Sequence, residues 1–576
     1  MEFSKVAAVF DAMEVTSKRL EITDMLAKLF SEVTTTQLRT IVYLVQGRIA
    51  PSHLGIELGL GEKLALQAIS KVTGKSEKEV ELLYRKLGDL GDAAQKCIEK
   101  KKQESLSFEP LTIEKVYFNL YAIATSSGPG SQQGKINLLS ELLVNAQPNE
   151  GKIIIRFVTG SLRLGAGDST VLDALSVWKS GSKELKITLE RAFNLTSDLG
   201  LVAETISSEG IIAINEIKPI PGKPIRPALA ERLPTPTEIV EKLGKCAVEG
   251  KFDGFRVQVH KKEDEVWIYS RKQEPMTHMF PDLVKAIKEN IHAKECILEG
   301  EAIGYNDDTK TYLPFQETIT RKRKHDISAT AAKIPLHLFV FEILYKNGSD
   351  LTALPYHERR AIIENIIEKN KIIAPARMQL VDTPEGLQRV FDECISDGLE
   401  GVIAKDLNAP YVAGARKFAW IKLKKSYQGN LADTVDVAII GFYKGKGKRT
   451  EFGLGGLLTA VYDPESEMFT SIAKIGTGFN EEEMQSLFDR LSKLAVKDKP
   501  ANVDSELEPD LWTTPEIVIE VTADEITRSP THKCAWNGDE GLALRFPRLT
   551  KFRDDKKPTD ITTVSEILEM YELQKH

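Results

Sequence analysis

Six prolines fall between residues 219 and 236, at Pro219, Pro221, Pro224, Pro227, Pro234 and Pro236, and they divide this chain into parts that fold by different rules. Proline fixes φ and lacks an amide hydrogen, so the stretch reads as an extended, semi-rigid connector. Before it, over residues 1–218, apolar residues recur at helical spacing. Leu38, Ile41, Val42, Val45 and Ile49 run up to a stop at Pro51. Ser76-Glu77-Lys78-Glu79 is a capping box, with Val80, Leu83 and Leu87 on one face behind it. Two glycine loops, Ser126–Ser131 and Arg163–Gly167, open onto helices, and Ser169 is placed to cap a helix starting at Thr170.

After the connector the period changes. Over 237–428, Val257 and Val259 alternate with Gln258 and His260, and Val266 and Ile268 with Trp267 and Tyr269, which predicts antiparallel strands with one buried face in an α+β domain. From 429 to 576, strand-like runs at Val435–Phe442, Leu457–Tyr462, Phe469–Ile475 and Ile517–Val521 are interrupted by a helix over Glu481–Leu494. That pattern predicts a small β-barrel of the OB type, closed by a C-terminal helix.

The 576 residues suffice for about three or four hydrophobic cores. No apolar run reaches the length of a membrane span, and Met1-Glu2-Phe3-Ser4-Lys5 is no signal peptide, so a cytoplasmic, prokaryotic protein is expected. Five scattered cysteines, Cys97, Cys246, Cys296, Cys394 and Cys534, make neither a disulfide framework nor a zinc site. Net charge is −7, yet basic clusters stand at Arg321–Lys324, at Lys422 with Lys424 and Lys425, and at Lys444–Arg449. Local fields of this kind suit an anionic polymer.

The chemistry concentrates around Glu249-Gly250-Lys251-Phe252-Asp253-Gly254-Phe255-Arg256. Lys251 sits in a turn between two strand-like runs, where an amine is aimed rather than waving. An ordinary lysine is protonated near neutral pH, so a nucleophilic one needs burial or cationic neighbours. Lys-x-Asp-Gly alone arises by chance in roughly one chain in eight of this length, so its company decides. Ile297–Ile303 carries Glu301, and Gly398–Lys405 carries Glu400; carboxylates at strand edges suit Mg²⁺. Phe341, within Leu338–Tyr345, is placed to stack on a flat base. Trp420–Lys424 puts Lys422 and Lys424 on one side of a strand with Ile421 and Leu423 on the other, a pair of cations that a phosphate chain would bridge.

In order and spacing these segments resemble the covalent nucleotidyltransferases, and most closely the ATP-dependent DNA ligases of the archaeal replicative type. The resemblance rests on Glu249–Arg256, Ser270-Arg271, Leu298–Ala302, Val340–Tyr345, Leu399–Lys405, Trp420–Lys425, Leu544–Arg548 and Arg553–Lys556. It implies a helical DNA-binding domain, a nucleotidyltransferase domain and an OB domain. Lys251 then matches the AMP-accepting lysine. Glu249 matches the acceptor of the adenine amino group, and Phe341 the stacking ring. Arg256, Arg271 and Arg416 match contacts to sugar and phosphates; Glu301 and Glu400 match sugar and metal carboxylates; Lys422 and Lys424 match phosphate ligands. Arg553 and Lys556 match the pair that orients the leaving pyrophosphate. Implied with them are ATP, Mg²⁺, a nicked duplex as substrate, and a monomer. Gly250, Phe255 and Glu342 depart from the commonest residues of their segments without removing a required group.

Rival readings are an RNA-capping or RNA-joining nucleotidyltransferase, which needs no long helical preface, and a non-catalytic DNA scaffold, which would be expected to have lost its nucleophile. Gln103-Glu104-Ser105-Leu106-Ser107-Phe108 also resembles a degenerate sliding-clamp peptide, with Gln103, Leu106 and Phe108 as its anchors. A Leu106→Ala/Phe108→Ala double variant is expected to lose clamp affinity in a binding titration; unaltered affinity would dispose of the peptide.

Overall fold

The computed structural model describes residues 1–574 except 17, 100–108, 163, 307–310, 314, 322–326, 425–433, 446–452, 477 and 480. The chain forms two units, Met1–Leu423 and Lys424–His576.

The first unit opens with helices from Phe3–Glu14 to Gly210–Glu216 packed around one apolar core that includes Phe10, Phe30, Leu38, Ile41, Val42 and Val80. Thr35–Val45 is the helix read from its apolar stripe, and Ser76 caps Glu77–Leu87 through the expected reciprocal bonds with Glu79. The expectation for Ser169 fails. Helix Asp168–Ser180 starts two residues earlier, with Gly167 as its cap. The Ser169 hydroxyl instead accepts from Arg19 at 2.8 Å and Lys186 at 2.9 Å.

Two sheets follow. A five-stranded sheet runs in the order Leu229–Arg232, Arg416–Lys424, Gly401–Asp406, Cys246–Lys251, Met378–Val381. The second, of seven strands, is built on Glu265–Ser270, Phe255–Lys262, Glu295–Asn306 and Leu336–Lys346. The chain passes from one sheet to the other between Lys251 and Phe255. Gly254 is needed at that crossing, because a Cβ there would lie 2.5 Å from the Ala302 carbonyl oxygen.

The proline segment is more than a tether. Leu229–Arg232 is an edge strand, parallel to Arg416–Lys424, and Gly222, Ile225 and Ala228 before it bond to side chains of the second sheet. This overturns the single buried face expected of Phe255–Lys262, where Gln258 and His260 are buried as completely as Val257 and Val259. The polar face finds its partners in the connector. Gly222 N–H donates to His260 Nδ1 at 3.0 Å, and Gln258 exchanges bonds with Ile225 N and O at 2.7 and 2.9 Å. Burial pushes His260 down to about 3, which keeps the ring neutral and Nδ1 free to accept. Tyr269 follows the same logic, its hydroxyl donating to Gly222 O at 2.8 Å.

Helix Tyr356–Ile366 packs on Leu336–Lys346 and brings Arg359 onto Glu342 in a two-pronged pair of 2.8 and 2.9 Å, both side chains fully enclosed. The second unit is strand-rich. Val435–Tyr443 pairs on one side with Gly456–Asp463 and on the other with Leu511–Thr513 and Val518–Thr522; Met468–Ile475 extends the sheet. Helix Glu481–Leu494 interrupts the strands as expected, and helix Val564–Leu573 follows a capping box at Thr563. Four of the five cysteines are buried and Cys394 is partly so.

Removing one member of a buried ion pair strands the other. Arg359→Met is therefore expected to lose about 3–5 kcal/mol in denaturant unfolding of the first unit, and Arg359→Met/Glu342→Leu much less.

Candidate active site

Lys251 ends the Cys246–Lys251 strand, its Cα opposite Gly401, and its carbonyl accepts from Glu400 N at 2.9 Å. This pairing carries the Glu400 side chain to the lysine, and Nζ is ion-paired with Glu400 Oε2. An acid thus holds the amine for which cationic neighbours were expected.

Beside it lies an enclosed polar cluster. Glu249, two residues earlier and 3% exposed, receives Lys405 Nζ at 2.7 Å on Oε2, with Arg360 NH1 at 3.4 Å and the Tyr356 hydroxyl on Oε1. Register explains the meeting: Gly401–Asp406 pairs antiparallel with Cys246–Lys251, while Tyr356 and Arg360 are one turn apart on a facing helix. Lys405 also donates to the Phe341 carbonyl at 2.8 Å and lies 5.0 Å from that ring's centre. Phe341 is half-buried and meets Trp420 edge-on, with Arg256 over both rings at 5.5 and 5.4 Å.

Arg256 is anchored from below. It donates to Glu299 Oε2 at 2.8 Å and to the Ala228 carbonyl at 2.7 Å, while its Nε is buried with no partner. Glu299, 1% exposed, also accepts from the Tyr411 hydroxyl at 2.8 Å and from Gln258 at 3.3 Å. Glu301, opposite Arg256 in the ladder, is held differently. Burial pushes its carboxyl up to about 7, with Lys251 and Arg256 opposing and Asp253 assisting.

Of the remaining expected residues, Lys422 is half-buried on the strand face away from Ile421 and Leu423, both of which are fully buried in the core, and Lys424 ends that strand. Arg416 begins it, with its backbone opposite Leu229. Arg271 is exposed in the turn after Glu265–Ser270, at the rim of a small cleft that also touches Pro227, Arg256 and Glu299. Gln103, Leu106 and Phe108 lie outside the described residues, as do Lys322–Lys324 and Lys446–Arg449.

In the second unit Arg553 and Lys556 share a cradle of acids. Arg553 NH1 reaches both oxygens of Asp436 at 3.1 Å and Glu520 at 3.3 Å; Nε and NH2 grip Asp555 at 2.9 and 2.8 Å. Lys556 Nζ lies 2.6 Å from Asp436. Asp436 and Glu520 are cross-strand neighbours, an arrangement that repels unless a cation lies between them.

Sequence reasoning missed Lys405, Tyr356, Arg360, Tyr411, Glu299 and Asp436. Lys405 and Glu299 lay inside segments already singled out. The others stand in patterns that look like ordinary helix, loop or strand, and only long-range register brings them in.

Among the described residues no three or more His, Cys, Asp or Glu side chains form a metal-binding group. A lysine ends a strand at the crossing between two sheets, beside an aromatic pocket lined with cations, an arrangement able to place a flat ring and its phosphates near an amine.

Comparison with known proteins narrows the class. The family model for the ATP dependent DNA ligase domain matches residues 227–424, that for the DNA ligase N terminus residues 2–176, and that for the ATP dependent DNA ligase C terminal region residues 450–556. A probable DNA ligase of Dictyoglomus turgidum is 48% identical, spanning 100% of this chain and 98% of that protein. DNA ligases of Hyperthermus butylicus and Saccharolobus solfataricus are each 42% identical, over 100% of this chain and 98% of theirs. The solved structure titled Pmar-Lig_PreS3 shares the fold with a TM-score of 0.57 at 16% identity, covering 95% of this chain and 99% of that one. The chain belongs to the ATP-dependent DNA ligase family, in its archaeal type.

The Glu301 shift has a stability signature. A carboxyl raised on folding contributes its stability in the protonated form, and that contribution is lost as pH climbs from the unfolded value through about 7. Glu301→Gln is therefore expected to match the parent near pH 4 and exceed it at pH 8 by roughly 1–3 kcal/mol in denaturant unfolding.

Proposed function

We propose that this chain seals nicks between a 5′-phosphate and a 3′-hydroxyl in duplex DNA, with Lys251 as the covalent carrier of AMP. The observation that carries the reading is Lys251 itself, fixed by strand register beside Glu400 and next to the Phe341–Arg256–Lys405 pocket. The adenine stacks on Phe341 and gives its amino hydrogens to Glu249. Arg256, Arg271 and Arg416 contact sugar and phosphates.

Before it attacks, Lys251 must leave its ion pair with Glu400 and shed a proton. Its Nζ then forms a bond to the α-phosphorus of ATP as the bond to the bridging oxygen breaks and pyrophosphate departs. Lys422 and Lys424 offset charge on the departing group, so positioning and electrostatics do most of the catalysis. The AMP passes next to the 5′-phosphate at the nick. The 3′-hydroxyl then displaces AMP and closes the strand. One site must face pyrophosphate first and DNA afterwards, so a conformational change is expected between steps.

The carboxylates fit a Mg²⁺ ion. Glu301 and Glu400 supply hard oxygens at the nucleophile, too few to enclose a metal, which suits an ion that completes its shell from substrate phosphates and water. When bound there, the ion would withdraw charge from the phosphates. The same reading makes Gln103, Leu106 and Phe108 a clamp contact and the enzyme a cytoplasmic monomer; no helix of the described residues is long and apolar enough to cross a membrane.

Incubation with α-labelled ATP and Mg²⁺ is expected to label Lys251, and a chase with nicked DNA to move the label and join the strand. Lys251→Ala should reduce labelling and joining by at least about 10³-fold. Joining by a Lys251→Arg variant at the parent rate would overturn the assignment.

A further inference from the structure

One cation of the pocket is turned away from any phosphate. Lys405 is 1% exposed and faces Glu249 at 2.7 Å, the Phe341 carbonyl at 2.8 Å, and the rings of Phe341, Tyr356 and Trp420 at 4.6–5.0 Å. Two of its three N–H groups are thereby fixed. Enclosure pulls its ammonium below the ordinary lysine value, with Glu249 the main opposing influence. A buried ion pair of this kind contributes little net stability, so its use lies in what it does to the acid.

A carboxyl in such surroundings without a cation would take up a proton, and the two forms behave oppositely. Ionised, Glu249 can only accept hydrogen bonds; protonated, it can donate one. A purine with a 6-amino group presents donors at that edge, whereas a 6-oxo purine presents an acceptor. An ionised carboxylate set against a carbonyl oxygen leaves both unpaired, and mismatches of this sort discriminate strongly.

We propose that Lys405, seconded by Arg360 and the Tyr356 hydroxyl, sets the base preference of the pocket by holding Glu249 as an oriented acceptor for 6-amino purines. Lys405 is a positioning residue that acts through Glu249. The inference rests on reading the pocket as the nucleotide site.

The test uses the full chain and α-labelled ATP and ITP, with kcat/KM for covalent labelling measured for each. The parent is expected to prefer ATP. Lys405→Met should lower the ATP-to-ITP ratio by at least about tenfold, with ATP labelling falling while ITP labelling holds or rises. Damage to the fold alone would depress both together. Arg360→Met, whose loss leaves Lys405 in place, should shift the ratio the same way by less, and it decides the matter if thermal unfolding shows that Lys405→Met does not fold. An unchanged ratio, or parallel loss with both nucleotides, overturns the proposal. Failure of the parent to form an adduct with either nucleotide would instead overturn the function proposed above.

Discussion

Glu299 is the residue on which the first unit turns. Its buried carboxylate binds Arg256 and Gln258 of one strand and Tyr411 from a distant stretch of chain, and Arg256 and Tyr411 in turn hold Ala228 of the connector. A carboxylate this deeply enclosed is tolerable only because its oxygens are met by several donors at once. Burial beside Glu299 raises the Tyr411 phenol well above its usual range, so it stays a donor. One acid therefore fixes Arg256 over the Phe341 and Trp420 rings and fastens the proline segment to the second sheet.

The same device recurs at several of the cations. Lys251 is held by Glu400, Arg256 by Glu299, Lys405 by Glu249, and Arg553 with Lys556 by Asp436. These positive groups are stored against carboxylates rather than against one another. For the buried pairs this fixes geometry at little net gain in stability. For the more open ones it leaves a charge that an incoming polyphosphate can capture by exchange.

Local signals were legible in the sequence, and for a physical reason: a capping box or an amphipathic stripe is written within a few residues. Ser76 with Glu79, the Thr35–Val45 helix and the strands of the second unit followed from that alone. Lys251, Glu301, Glu400 and Phe341 were visible because glycines, strand edges and alternation mark such positions. What was hidden depends on separation. Nothing near Gln258 or His260 announces that a proline segment more than thirty residues earlier will cover them, so a strand with two polar positions looked half exposed. Ser169 was misjudged for a related reason, since the basic side chains that claim its hydroxyl come from other helices. Lys405 resembled the end of a strand until pairing laid it against Glu249.

The short strand Leu229–Arg232 closes the five-stranded sheet by lying along Arg416–Lys424, so the first and last strands of the α+β region are neighbours. A fragment begun after residue 233 would keep Lys251, Arg256, Phe341 and Lys405 and still leave the strand bearing Lys422 with a row of unsatisfied backbone groups. Such an open margin recruits other chains. Trimming the prolines would therefore show itself first as self-association, and only afterwards as lost chemistry.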